Sequence, residues 1–132
     1  MTTRSATRER STNETSIVVS IDLDGGPVSA STGIPFFDHM LDQLGRHGGF
    51  GLDVRCTGDL DIDAHHTVED VGIAVGEAFA EALGDKAGVR RFASARVPLD
   101  EALVDVALDL SGRPYLHHEV DFPGQKILGD PP

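Results

Sequence analysis

The stretch Asp61-Ile62-Asp63-Ala64-His65-His66-Thr67-Val68-Glu69-Asp70 concentrates the residues most able to do chemistry. On a helix, His65 and Glu69 are four positions apart and His66 and Glu69 three, so each pair can meet on one surface. Adjacent histidines point about 100° apart and can serve two ions or two sides of one site. Their place in a first helical turn disfavours imidazolium, and neutral imidazole is the form that binds metal. Imidazole and carboxylate without thiolate suit Mn²⁺, Fe²⁺ or Zn²⁺. The alternative is two helix-start histidines beside a solvated glutamate. A metal needs three or four protein ligands, and His39, on the polar side of an earlier helix, is a candidate third imidazole.

The other chemically able residues are more ambiguous. His47 falls at a helix end, where a dipole-compatible cap is expected. His117 and His118 alternate on a strand and read as structural. Arg91 and Arg113, the latter in a Ser-Gly-Arg-Pro turn, could hold a phosphate; ordinary surface salt bridges are the alternative. Glu14, at the start of a strand, could act as a general base, although no partner for it is visible in the sequence. Cys56 lies in the alternating run Leu52-Asp53-Val54-Arg55-Cys56 and reads as a packed thiol.

These residues must be positioned by a small α+β fold. The 132 residues suit one domain with a core of Val, Ile, Leu and Ala, Trp being absent. Strands are expected at 14–23, 50–56, 60–62, 93–97, 102–110 and 115–122. Residues 28–32 could return as a hairpin partner after the Asp24-Gly25-Gly26-Pro27 turn. Pro35 opens a helix whose buried side is marked by Phe36, Phe37, Met40, Leu41 and Leu44, and Gly48-Gly49 end it. Asp63 caps a second helix carrying the stripe Val68, Val71, Gly72, Val75, Phe79, Ala82 and Leu83. Residues 1–13 read as a mobile N-terminal arm. Alternation in 102–110 leaves an apolar sheet face that another subunit or a further C-terminal segment must cover, and the segment is the expected cover.

Bulk charge narrows the partners. A net charge of -11 argues against nucleic acid and anionic membrane, while local arginines or a bound cation still admit an anionic small molecule. A single cysteine fits a reducing compartment. With no secretory signal and no run long enough to span a bilayer, a cytoplasmic setting is expected.

Several motifs in one order resemble imidazoleglycerol-phosphate dehydratase: Asn13-Glu14-Thr15; Ser31 to Gln43, with Phe36-Phe37-Asp38-His39-Met40-Leu41-Asp42 at its centre; Gly58-Asp59-Leu60; and His65-His66-Thr67-Val68-Glu69-Asp70. Arg91-Phe92, Pro98 to Leu103 and Leu108-Asp109-Leu110-Ser111-Gly112-Arg113-Pro114 continue the match. The resemblance implies an α/β fold (an α+β two-layer sandwich) of pseudo-repeated halves, each a four-stranded mixed sheet with two helices. Residues 14–92 would then be the first half-domain with the metal motif, and 93–132 an incomplete second half.

It further implies a metal-dependent lyase of histidine biosynthesis that converts imidazole glycerol phosphate to imidazole acetol phosphate. Two Mn²⁺ ions per complete site would lie at subunit boundaries of a homo-oligomer, a 24-mer. Carried over by motif, His39, His65, His66 and Glu69 are metal ligands. Glu14 and Glu69 are catalytic, and Glu14, Gln43, Arg91 and Arg113 contact the phosphate substrate. A second His-His-x-x-Glu motif would lie beyond residue 132, so the 132-residue chain by itself is expected to be inactive and to bind metal weakly. Two other classes compete with the enzyme: a non-catalytic metal-binding or scaffolding module, and a small-molecule kinase on a similar fold. The kinase would need a Gly-rich phosphate loop, and Gly25-Gly26 and Gly48-Gly49 fit turns better.

Overall fold

The computed structural model describes residues 3–121, as two units that divide after Asp85. The first unit holds β1 (Ser5–Ser11), β2 (Thr15–Asp22), β3 (Val28–Ser31), α1 (Pro35–Gly48), β4 (Gly51–Gly58) and α2 (His65–Leu83). Its sheet runs in the order β1-β2-β4-β3, with β3 parallel to β4 and the other pairs antiparallel. Together with the two helices it forms the expected α+β arrangement.

Three expectations change here. The supposed N-terminal arm is strand β1 over Ser5–Ser11, in register with β2 from Ser5↔Asp22 to Ser11↔Ser16. Its polar composition hid it, since most of its side chains are exposed. Val28–Ser31 does not return against β2 as a hairpin. It pairs parallel with β4, which requires the crossover that α1 supplies. The chain reaches that position by passing closely over the start of β4. There a Cβ on Gly51 would stand 3.1 Å from Gly26 Cα, and Leu52 N donates to Pro27 O at 3.0 Å. Leu60–Ile62 is a turn closed by Ile62 N to Asp59 O at 2.8 Å, not a strand.

The core lies between the sheet and the helices. Alternation in β2 sends Ile17, Val19 and Ile21 inward, where they meet Leu52 and Val54 of β4. Helix α2 presents Val71, Ala74, Ala78 and Ala82, whose small side chains let its axis approach the strands. Helix α1 is fixed at its start by Asp38, whose Oδ1 accepts from Thr32 N at 2.8 Å and from Thr32 Oγ1 at 2.6 Å. It ends at Gly49, whose left-handed φ of 73° lets its N–H reach Gly45 O at 2.9 Å.

The buried side of α1 is narrower than its apolar residues suggest. Leu41 and Gly45 are buried and Phe37 packs against the core, whereas Phe36, Met40 and Leu44 are 49%, 41% and 47% exposed. The helix is apolar on two adjacent stripes, and this unit covers only one. On α2, Val75 and Phe79 pack as expected, but Val68 is exposed.

The second unit contains β5 (Phe92–Leu99) and β6 (Ala102–Asp109), paired antiparallel from Phe92↔Asp109 to Leu99↔Ala102. This register puts Val97, Leu99, Val104, Val106 and Leu108 on one face, all exposed. The expected strand at 115–122 is absent over its described residues, 115–121, which carry no regular structure. Among the described residues no helix is long and apolar enough to cross a membrane.

Candidate metal and substrate site

Two carboxylates arrange the start of α2. The N-cap position of α2 falls on Ala64, which offers no side-chain cap, rather than on Asp63; from one residue earlier Asp63 Oδ1 accepts from His65 N at 2.8 Å, meeting one of the helix's unpaired amides. His65 Nε2 lies 3.0 Å from Glu69 Oε2, the four-residue pairing read from the sequence. His66 turns the other way, and its Nδ1 lies 2.8 Å from Asp59 Oδ2. The two imidazoles sit edge to face with centroids 5.5 Å apart.

The His66 imidazole is held above its ordinary pKa, contrary to the effect expected of the helix N-terminus alone. The Asp59 hydrogen bond is the largest cause. Burial opposes it, and the charges of Asp59, Glu14 and Asp63 add to it. The surrounding carboxylates favour the charged ring. Glu14, just before β2, is among the carboxylates whose charge acts on His66.

A second network fixes this end of α2 to the β1–β2 hairpin. Asp70 Oδ2 accepts from Thr15 Oγ1 at 2.6 Å and from Thr12 Oγ1 at 3.3 Å, while Arg10 binds Oδ1. Thr12 Oγ1 in turn accepts from the backbone N–H groups of Glu14 and Thr15. The segment carrying Glu14 and the helix carrying His65 and His66 are thus joined through one buried carboxylate. Cys56 lies nearby as a partly buried thiol packed against the core, and burial pushes its pKa up.

The remaining predicted residues are placed elsewhere. His39 is exposed on α1. Gln43 lies on the same helix, where its Oε1 meets His47 Nε2 at 2.9 Å and its Nε2 donates to Asp42. His47 is therefore a side-chain partner in the last turn rather than a backbone cap. In the second unit Arg91 forms a two-pronged pair with Asp109 at 2.6 and 3.1 Å and lies over the Phe92 ring. Arg113 adds its field to the same Asp109 carboxyl, which the Arg91 hydrogen bond already holds low. His117 pairs with Glu119.

Among the described residues no three His, Cys, Asp or Glu side chains converge to hold a metal ion. The donors at the α2 N-terminus nevertheless suit one in part. With Nδ1 of His66 engaged by Asp59, its Nε2 is the nitrogen left for a metal, and His65 and Glu69 present nitrogen and oxygen side by side. Asp59 and Asp70 were not singled out from the sequence. The signal for Asp59 was a turn aspartate seven positions before His66. For Asp70 there was none beyond an acidic residue on the inner side of a helix.

Known proteins resemble the chain in sequence and in fold. A sequence model of the imidazoleglycerol-phosphate dehydratase family matches residues 32–130. The dehydratase of that name from Parafrankia sp. is 66% identical over 87% of this chain and 60% of its own length. That of Frankia casuarinae is 64% identical over 92% of this chain and 63% of its own. The chain thus spans roughly three-fifths of the curated relatives it matches. The crystal structure of the Staphylococcus aureus enzyme superposes with a TM-score of 0.81 at 32% identity, covering 93% of this chain and 67% of that one. The Pyrococcus furiosus structure gives 0.76 at 36% identity, covering 90% and 63%. The chain belongs to the imidazoleglycerol-phosphate dehydratase family.

Proposed function

We propose that the natural protein removes water from imidazole glycerol phosphate to give imidazole acetol phosphate, as a cytoplasmic, Mn²⁺-dependent lyase of histidine biosynthesis. The observation that carries this reading is the grouping of His65, His66 and Glu69 at the start of α2 in a chain of this family. A bound Mn²⁺ would act as a Lewis acid on the substrate imidazole. His65, His66 and Glu69 hold it from this chain. Among the described residues no three such side chains converge on one point, so these are this chain's share of the ligands and His39 joins them from another copy. Two ions per complete site and a 24-subunit homo-oligomer follow on the same reading.

Glu14 takes the carbon-bound proton as general base. The hydroxyl on the carbon adjoining the imidazole would take up a proton and leave as water, with Glu69 beside it, and the enol that remains would tautomerise to the ketone. Gln43 contacts the substrate, and Arg91 and Arg113 exchange Asp109 for the phosphate, anchoring the reacting atoms by remote binding energy. A second reading is an inactive, weakly metal-binding or scaffolding module, favoured by the lack of a complete ligand set among the described residues.

Turnover of imidazole glycerol phosphate by the natural gene product decides between them. Activity abolished by a chelator and restored by Mn²⁺ supports the lyase. Undiminished activity after metal removal defeats the metal dependence, and no dehydration under saturating Mn²⁺ defeats the lyase reading.

A further inference from the structure

We infer that Asp59 is a positioning residue, which fixes the tautomer and ring orientation of His66 so that Nε2 presents its lone pair to a metal. The inference deepens the metal-site reading above and rests on it. Asp59 follows the last residue of β4, and its Oδ2 lies 2.8 Å from His66 Nδ1, seven residues away across the turn into α2. A carboxylate accepts and does not donate, so this contact requires a proton on Nδ1. In the neutral ring the lone pair is then confined to Nε2.

Free histidine prefers the opposite tautomer, with the proton on Nε2. The arrangement therefore reverses the ring's own preference at this position. Asp59 Oδ1 is buried and meets no hydrogen-bond partner. Among the described residues the Asp59 carboxylate thus makes its polar contact through Oδ2, to His66. His65 has a different arrangement: it is Nε2, not Nδ1, that faces a carboxylate, that of Glu69 on the same helix. The two neighbouring imidazoles are thus prepared differently, one by a turn aspartate and one by its own helix.

Nitrogen-15 NMR of the 132-residue chain, at a pH where the imidazoles are neutral, reads the tautomer directly without metal. Wild-type His66 should be chiefly the Nδ1–H form, and Asp59→Ala should move it towards the Nε2–H form. Adding Mn²⁺ alone should broaden the His66 ring signals, and Asp59→Ala should weaken the apparent affinity about ten- to a hundredfold. Asp59→Asn keeps an acceptor and the side-chain shape, so smaller shifts of both readouts in the same direction are expected. That variant decides the matter if the alanine form does not fold. An unchanged tautomer, or equal Mn²⁺ affinity in wild type and variant, overturns the role of Asp59. If the tautomer shifts but Mn²⁺ never reaches His66 even in wild type, the coordination half of the inference falls together with the metal reading.

Discussion

Arg10 on β1 and Asp70 on α2 form an ion pair, Nη2 to Oδ1 3.1 Å, across sixty positions of sequence. It ties the outer strand of the sheet to the helix that bears His65 and His66. Both side chains are largely withdrawn from water, and Asp70 also accepts from Thr15 and Thr12. Removing the carboxylate leaves a cation and two hydroxyls without their shared acceptor. We expect Asp70→Ala to cost about 2–4 kcal/mol, read by urea denaturation. A loss below about 0.5 kcal/mol would show that water replaces the network at no cost.

The same carboxyl sets an acid limit. Asp70 is held below the ordinary carboxylate range, first by the Thr15 hydrogen bond and then by Arg10 and Thr12, against burial. A group with a depressed folded pKa contributes in full above its unfolded value, near pH 3.9, and loses its contribution as pH falls through the folded value. Stability should therefore drop on acidification, and Asp70→Asn should flatten that part of the profile. Parallel profiles for the two proteins would assign the acid loss to other carboxyls.

The two apolar stripes of α1 differ in what they do for this chain. Leu41 is 6% exposed and lies in the core, whereas Met40 beside it is 41% exposed. Leu41→Ala should cost about 2–5 kcal/mol and Met40→Ala within about 0.5 kcal/mol in thermal or urea unfolding. A large cost at Met40 would mean that its stripe is already covered in solution.

That stripe also shows where sequence reading stops. Periodicity locates α1 and α2 because an amphipathic helix must repeat its apolar residues at helical spacing. It cannot tell which of two adjacent stripes faces the sheet, since that depends on Gly45 meeting Val28 and Leu52 across the layer. β1 escaped notice because a strand with five of its seven residues Arg, Ser or Glu is held by ladder hydrogen bonds that leave no composition signal. In the candidate site, the His65–Glu69 pair was legible because helix geometry brings together residues four apart. The Asp59–His66 contact was not, because it depends on how the turn 59–62 folds back.

Gly58, where β4 meets α2, gives a test of that junction. A Cβ there would stand 2.1 Å from Thr67 Oγ1 and 3.4 Å from Thr15 Cγ2. Gly58→Ala should destabilise by about 1–3 kcal/mol through overpacking. Adding Thr67→Ala removes the closest atom, so the double variant should be more stable than the sum of the single changes predicts. Simple additivity would show that the strand end moves aside instead.

If His66 is a ligand, protons must compete with metal for it. Its pKa is raised, chiefly by the Asp59 hydrogen bond, so its charge-linked stabilisation is complete below the unfolded value near pH 6.5 and is lost as pH rises through the raised one. Mn²⁺ affinity should run the opposite way. It should climb up to about tenfold per pH unit while His66 remains protonated, and level off only above the ordinary imidazole range. Asp59→Asn removes the charge that raises the pKa, so its affinity should level off at lower pH, although the plateau itself is weaker. Titration calorimetry across that range separates the two effects. A plateau at the same pH in both proteins would mean that another group, and not His66, governs the proton competition.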